Sequence, residues 1–521
     1  MGDRGRDEAV RYRFPPLERR GVIAGWRGGQ IASVAVGLSA GVVLLRSRPT
    51  LAGAVLAVVA VGASVAVSFW PIRGRTAEQW LPLVARRLAV WSTGCRRQVS
   101  TDRLAGHVVG VERASGRVTG VVGPGRSGGR SGARLATLEG VSVVAVPSGL
   151  QGTDAPMGVV LDRSARTATA VVAVRGHSFA LLGRGDQDAA IAAWARVLSS
   201  MAREGAAVHR VQWIESCLPD DGGAVRRHRA AHAVSGPESA AGRSYDELVD
   251  QSSPSGRRHR VLLALSVHTA HSARAVRAAG GGAVGLGAVL GQEVASLVRA
   301  LGATDIVVDG VLGPGSLHRV LREPTCRVPD TDPDNAVGTS SGAEGGHRTG
   351  RPWPSAVENH WDALQTDATW HATYWIAEWP RVDVTPDFLG PLLFLPLRRT
   401  IALTMEPVSP ARAARQVAQA RTADIADGEL RRRSGFLVTA RHRREQESVD
   451  ERDVELADGH AQYRFSGYVT VTADSRPELQ SACSVVEQAA GQSRIELRLL
   501  YGEQDVAFTC SLPLGRGLAA R

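Results

Sequence analysis

No charged residue occurs from Gly28 to Leu45, and none from Pro49 to Ile72. At 1.5 Å of rise per residue, each run crosses or nearly crosses a hydrocarbon core about 30 Å thick. Only Arg46, Ser47 and Arg48 separate them, so residues 28–72 predict a tight helical hairpin in a lipid bilayer. A buried core hairpin is the alternative, and back-to-back uncharged runs between arginine clusters argue against it. Arg4, Arg6, Arg11, Arg13, Arg19, Arg20 and Arg27 precede the first run, whereas Arg73, Arg75, Arg86, Arg87, Arg96 and Arg97 follow the second. Arg46 and Arg48 alone occupy the tip, so the positive-inside rule places both ends in the cytoplasm. Residues 1–27 become a cytoplasmic tail, and everything from about residue 73 to 521 is expected on the same side. Trp26 with Arg27, and Trp70 with Arg73 and Arg75, stand where indoles and cations favour the membrane interface.

Residues 73–99 carry a different pattern. Trp80, Leu83, Val84, Leu88 and Trp91 form one apolar side between residues 76 and 92, opposite Arg86 and Arg87. Such a helix lies on the inner leaflet or docks on the protein's own cytoplasmic part.

Farther along, alternation and helical stripes interleave. Strands are expected at 142–146, 157–161, 167–174, 208–217, 260–267 and 305–311, with helices at 186–204 and 284–301. Asp186 is a candidate cap for the first of these helices. Residues 325–356, rich in Pro, Gly, Ser and Asp, read as a linker between an α+β domain over 100–324 and another over 357–521. The second has strands at 400–405, 462–472 and 495–500, a long helical region at 410–456, and a helix at 477–490 capped by Ser475 or Asp474. This order suits a split-βαβ (ferredoxin-like) α+β domain, and the middle region offers a second such unit without a strict sequence repeat. The expected fold class is therefore α+β, behind a transmembrane hairpin.

Composition narrows the chemistry. All 62 basic side chains among 521 residues are arginine. Without lysine there is no Walker-type phosphate loop, no Schiff base and no Ser-Lys pair. The net charge of +11 raises nucleic acid, an anionic membrane or an acidic partner. Cys95, Cys217, Cys326, Cys483 and Cys510 lie far apart and form no CxxC, which suits reduced cytoplasmic thiols.

Motif matches are weak. G-x-S-x-G occurs at 125–129 and 338–342, both in low-complexity loops rather than between a strand and a helix. Gly280, Gly281, Gly282, Gly285 and Gly287 lack dinucleotide-loop spacing and read as a turn before a helix. His228 and His232 sit among arginines, and His268 and His271 have no companion carboxylate or thiolate, so no metal, cofactor or catalytic residue is assigned. Trp353, Trp361, Trp370, Trp375 and Trp379 cluster near the linker. Core or interface packing is favoured for them over a base-stacking surface. Arg431, Arg432, Arg433, Arg441, Arg443 and Arg444 precede an acidic run from Glu445 to Glu455. They are candidate partner-contact residues, pairing within a helical hairpin or with a neighbouring subunit.

The stretch Tyr12-Arg13-Phe14-Pro15-Pro16-Leu17-Glu18-Arg19-Arg20-Gly21, the hairpin, and Trp70-Pro71-Ile72-Arg73-Gly74-Arg75-Thr76 with Glu78 and Trp80 resemble an actinobacterial membrane-protein family found with conjugation-like, type IV secretion gene sets. The hairpin is similar to the PrgI class of two-helix inner-membrane subunits. Ile401 to Leu514 resembles the non-motor N-terminal domain of TrbE/CagE-class transfer ATPases, closing near Gln504 and Leu512-Pro513-Leu514-Gly515. In those ATPases the motor comes after that turn, so here no motor is expected. The resemblance implies a non-enzymatic plasma-membrane scaffold that docks a separate transfer ATPase and a polytopic channel subunit, with Gln504 among its contact residues. A second resemblance, to the EccE component of type VII secretion systems, implies two spans and a motorless cytoplasmic domain. A membrane-tethered nucleic-acid binder is the third reading.

Overall fold

The computed structural model describes residues 14, 28–47, 49–69, 80, 83–85, 87–88, 97–99, 136–148, 155–176, 179–220, 223–232, 239–252, 256–325, 354, 356–367, 369–434 and 440–518. The chain divides into two units, one formed by residues 15–97 with 501–503 and one by the rest.

The first of these contains the hairpin. Helices α1 (Gly28–Ser47) and α2 (Leu51–Phe69) begin at 28 and 51, close to the ends of the uncharged runs. Small residues set their approach. A Cβ on Gly37 would lie 2.4 Å from the Ser64 side chain, and one on Gly41 would lie 3.1 Å from Val61. Ser64 Oγ donates to the Ser33 carbonyl at 2.7 Å, so its hydroxyl is satisfied at the helix contact. The outward side is apolar and exposed at Val36, Val42, Val43, Leu51, Val58 and Val59.

The other unit is built on a mixed α+β plan around a 13-stranded sheet. Its strands are β1 (Arg97–Val99), β2 (Val141–Val146), β3 (Met157–Asp162), β4 (Thr167–Arg175), β5 (Val208–Pro219), β6 (Arg257–His268), β7 (Val307–Val311), β8 (Ala356–Asn359), β9 (Leu364–Thr366), β10 (Thr369–Glu378), β11 (Arg399–Pro407), β12 (Tyr463–Ala473) and β13 (Glu496–Leu499). Two copies of one topology make it. In the first, β4, helix α3 (Arg184–Met201), β5, β6 and β7 pair in the order β7-β4-β6-β5. In the second, β10, β11, β12 and β13 pair in the order β13-β10-β12-β11. This is the split-βαβ order in each copy, with a strand inserted between two that run parallel. A hairpin precedes each copy, so that β3 and β7 share the outer edge of β4 as β9 and β13 share that of β10.

The copies join through β5 and β11, paired antiparallel, with Trp213 opposite Leu403. Taking that pair as a local twofold, Val211↔Leu265 maps onto Ile401↔Val469, and Thr169↔Ser266 maps onto Thr373↔Thr470. Both of the latter are buried hydroxyl pairs, at 2.8 Å and 2.9 Å. The linker expected at 325–356 therefore does not separate two sheets. Much of it lies outside the described residues, and the strands on either side of it belong to one continuous ladder.

Alternation along the strands feeds layers on both faces. Val172 and Leu265 point to a core with Leu290, Val294 and Leu297 of helix α7 (Gly282–Leu301). Ala372, Tyr374 and Val469 face Leu479 and Val486 of helix α12 (Arg476–Gln492). Val171, Ile214, Leu262 and Ala402 face the other way. They meet Leu317 and Leu321 of α8 (Pro314–Arg322) and Phe508 of α13 (Gln504–Thr509). Helix α7 is long and apolar enough to cross a membrane, yet half of it is buried and Leu290, Val294 and Leu301 are fully covered, which makes it a core helix.

The local signals have mixed outcomes. Ser475 caps α12 by accepting from Glu478 N at 3.4 Å, as the sequence suggested. Asp186 instead lies in the first turn of α3, whose N-cap is Gly183. The polar stretch after β5 folds as helices α4 (Gly223–His232) and α5 (Ala240–Ser252). The long helical region divides into α10 (Pro410–Ser434) and α11 (Ala440–Ala457).

Candidate interaction surfaces

The sequence-predicted interface residues divide sharply. Trp26, Arg27, Trp70, Arg73, Arg75 and Arg86 lie outside the described residues. Trp80 and Arg87 are helical and half-buried, and Leu83 between them is buried. On the arm formed by α10 and α11, Arg443 is exposed, and the side chains of Arg431, Arg432, Arg433, Arg441 and Arg444 lie outside the described part.

The arm has little core of its own. Helix α10 has 25 residues, about 37 Å of helix. The two helices share Val417, Ala420 and Val449, with Leu456 alongside. Arg421 bridges both Asp450, at 3.1 Å, and Asp453, at 2.6 Å, across the helix pair. Arg421 was not among the arginines singled out from the sequence, whose side chains, Arg443 apart, lie outside the described part. Beyond these contacts Ile425 is 75% exposed and Val454 61% exposed. Arg412, Arg415, Gln416 and Gln419 line an open depression of about 500 Å³ near its base. Such a lining is polar and shallow, unlike the apolar enclosed pockets that hold small substrates.

Gln504 departs from its expected role as a contact residue. It is fully buried. Its Oε1 accepts from Thr373 N at 2.8 Å, and its Nε2 donates to the carbonyls of Thr373 and Leu500 at 3.2 Å and 3.0 Å. The amide therefore completes the Thr373 backbone of β10, whose carbonyl also accepts from Leu500 N at 3.2 Å. A Gln504→Ala chain should lose about 1–3 kcal/mol, because Thr373 N is left buried and unpaired. Thermal unfolding in mild detergent measures this, and an unchanged midpoint would show that water replaces the amide.

The Leu512–Gly515 turn is likewise internal, with all four residues buried. Gly515 N donates to Gln212 Oε1 at 2.9 Å, and Gln212 Nε2 donates to the Cys510 carbonyl at 2.7 Å. Thr404 and Tyr468 hydroxyls donate to the carbonyls of Arg516 and Gly517, both at 2.6 Å. Arg516 reaches the buried Asp162 at 2.7 Å. Burial pushes the Asp162 carboxyl up, but hydrogen bonds from Ser164 and Ala165 and the Arg516 charge hold it below the ordinary range. Residues 510–517 are thus fastened across the seam between the copies.

Charges at that seam are paired. Arg399 of β11 bonds Glu215 of β5, and Glu215 also meets His259 Nδ1 at 2.6 Å. Arg258 and Arg260 converge on buried Glu323, while Arg210 and Arg464 flank Glu406. This lattice accounts for arginines that composition alone left to nucleic acid or acidic partners.

Trp353 lies outside the described residues, and Trp361, Trp370, Trp375 and Trp379 are half-buried. Trp375 Nε1 donates to Ser466 Oγ at 3.0 Å beneath Arg498, and Arg476 lies 5.6 Å over Trp370. That is packing on a strand surface, not a free stacking platform. His268 and His271 rings stack at 4.2 Å, and His209 meets His268 edge-on at 5.3 Å. Burial, followed by the Arg210 charge, lowers His209 to about 4, so that ring is neutral at physiological pH. Among the described residues no group of three or more His, Cys, Asp or Glu is arranged to hold a metal ion. Gly280, Gly281 and Gly282 all adopt positive φ in the turn before α7, while Gly285 packs where a Cβ would lie 2.1 Å from the Val276 carbonyl oxygen. The glycines thus serve a turn and a close helix contact. Both G-x-S-x-G stretches, with Cys95 and Cys326, lie outside the described residues, and Cys217, Cys483 and Cys510 are free thiols.

The class is thus a tandem split-βαβ sheet with an apolar helical hairpin and an exposed helical arm. Within it, residues 256–376 match the model of a family described as a putative type VII ESX secretion system translocon, EccE. The matched stretch runs from β6 to β10, bridging the two copies. No curated protein matches the chain.

Proposed function

We propose that this protein is a membrane-anchored, non-catalytic subunit of a type VII-like secretion translocon, of the EccE kind. The family match over residues 256–376 carries the reading. Its support lies in where the match falls. It covers the last strands of the first copy and the opening strands of the second, so it tracks the tandem sheet itself. In this reading α1 and α2 span the plasma membrane as a two-pass hairpin with both chain ends in the cytoplasm. Their exposed valines and leucines would face lipid, and Gly37, Gly41 and Ser64 would hold the helices together. The sheet positions the α10–α11 arm to contact other translocon subunits.

The type IV reading rests on the N-terminal motif and the hairpin together with the resemblance of residues 401–514 to a transfer-ATPase domain. That stretch omits β10, the first strand of its own copy, and β10 lies largely within the EccE-matched residues. Gln504, a contact residue in that reading, is internal. These observations favour the type VII alternative.

Two measurements test the proposal. Deleting the gene should abolish export of small WxG-type substrates and leave conjugal DNA transfer intact, whereas the reverse result would restore the type IV scaffold. A Thr50→Cys chain should react with a membrane-impermeant maleimide on intact cells. Labelling at position 50 only after permeabilisation would overturn the two-pass orientation.

A further inference from the structure

The two-helix arm has two outer edges, and they carry opposite charge. Inside the arm, Val417, Ala420 and Arg421 of α10 meet Val449, Asp453 and Leu456 of α11. At about 3.6 residues per turn, the far side of α10 from that contact carries Arg412, Arg415 and Gln419, and Thr422 and Ala426 continue the line. The far side of α11 carries Glu447, Glu451, Val454 and Glu455, and Asp458 follows in line at its end. All of these residues are exposed.

The signs are separated, not mixed. The α10 edge holds no acid from Arg412 to Ala426, and the α11 edge holds no base from Glu447 to Asp458. Among the described residues neither arginine has an acidic partner and none of the four carboxylates has a cationic one, whereas Arg421, Asp450 and Asp453 between the helices are paired. Shape adds to charge. The open depression of about 500 Å³ lined by Arg412, Arg415, Gln416 and Gln419 leaves room on the basic edge for side chains from outside. Val454, 61% exposed in the middle of the acidic edge, offers apolar surface to bury there.

The level of the two edges also agrees. Arg421 bridges Asp450 and Asp453, which fixes α10 against α11 and puts Arg415 within about a turn of the height of Glu455 and Asp458. A second arm laid alongside and pointing the same way thus brings its Arg415 to those carboxylates without sliding.

We propose that the arm is a self-assembly element, in which the basic α10 edge of one copy receives the acidic α11 edge of a second copy of this chain. Two different surfaces meet, so the contact is heterologous, and its repetition generates a ring or an open row of copies. This inference does not depend on the secretion reading, because it needs only the charges and shape of the arm. Association of the purified chain and export in the cell are separate readouts, and either can fail alone.

Sedimentation of the full chain in mild detergent tests it. Wild type should associate at about 50 mM salt and dissociate at about 0.5 M, where exposed charges are screened. Arg412→Glu with Arg415→Glu makes both edges acidic, and Glu451→Arg with Glu455→Arg makes both basic. Each double variant alone should self-associate at least about tenfold more weakly, because like charges then face each other across the contact. Mixed in equal amounts, the two variants should assemble again, since an acidic edge once more meets a basic one. That mixture also separates a lost contact from a lost fold, because a misfolded chain is not rescued. A monomeric wild type, a double variant that keeps the wild-type mass, or a mixture that stays monomeric would each overturn the proposal.

Discussion

Replacing Arg399 with methionine should destabilise the sheet by about 3–5 kcal/mol, the largest loss expected from a single side chain here. The side chain is completely buried, and its partner Glu215 is 5% exposed. Each strand of the seam contributes one of them, so the pair ties the first copy to the second. Arg399 also donates to the Leu393 carbonyl, and Glu215 Oε1 takes His259 at 2.6 Å. Removing the guanidinium leaves a carboxylate in the interior with one partly exposed imidazole for company, and most of the loss comes from that stranded charge. A double replacement, Arg399→Met with Glu215→Met, removes the stranded charge as well and should recover most of the stability. Chemical unfolding of the three variants and the wild type in mild detergent supplies the cycle. If the double variant is as unstable as Arg399→Met, the pair's packing rather than its charge holds the seam.

Much of this architecture could be read from residue order, and the limits have identifiable causes. The uncharged runs locate α1 and α2 within a few residues, because an apolar helix needs no tertiary partner to declare itself. Strands β2 to β7 emerge from alternation, and the split-βαβ order from their sequence with the helices between. Strands β8, β9 and β10 were hidden by their own content. Trp370 and Trp375 read as part of a tryptophan cluster, since bulky aromatics suit a strand surface and an interface equally well. Helices α4 and α5 escaped because a mostly polar surface helix shows no clear stripe. The duplication was invisible as sequence because it conserves pairing, not residue type. Val211↔Leu265 and Ile401↔Val469 are equivalent positions with different side chains on each strand.

Functional residues were less legible for the same reason. A polar residue such as Gln504 looks like surface until the strand whose backbone it completes is known. Arg399 sits in Leu-Arg-Arg-Thr at the start of a strand, where nothing local separates the fully buried arginine from the half-buried Arg398 beside it. Only the fold brings such groups together.

Acid should expose the second large effect, at His371. The ring is fully buried in β10, with Nδ1 3.0 Å from Thr472 Oγ1 and Nε2 2.8 Å from Thr366 Oγ1 and 3.1 Å from Thr369 Oγ1. Phe508 lies 4.5 Å away, so nothing nearby offsets a positive charge. Burial, followed by the Arg398 charge, lowers the imidazole to about 3 from its usual 6.5. The native ring therefore stays neutral where the unfolded one takes up a proton. Its contribution is present above pH 6.5 and is lost as pH falls from there toward 3. At about 1.4 kcal/mol per pH unit, this one residue should cost about 2 kcal/mol of stability at pH 5 relative to pH 7. His209 adds to the slope in the same direction, since it too is lowered by burial. The decisive quantity is thus the difference between wild type and His371→Gln, measured by urea unfolding at pH 7, 6 and 5. Glutamine keeps a donor and an acceptor for the threonine hydroxyls but cannot titrate. The variant should be less stable at pH 7, and the gap should close by about 2 kcal/mol at pH 5. A gap that stays constant across this range would mean that the buried ring is protonated in the native state, against the desolvation that its threonine cage imposes.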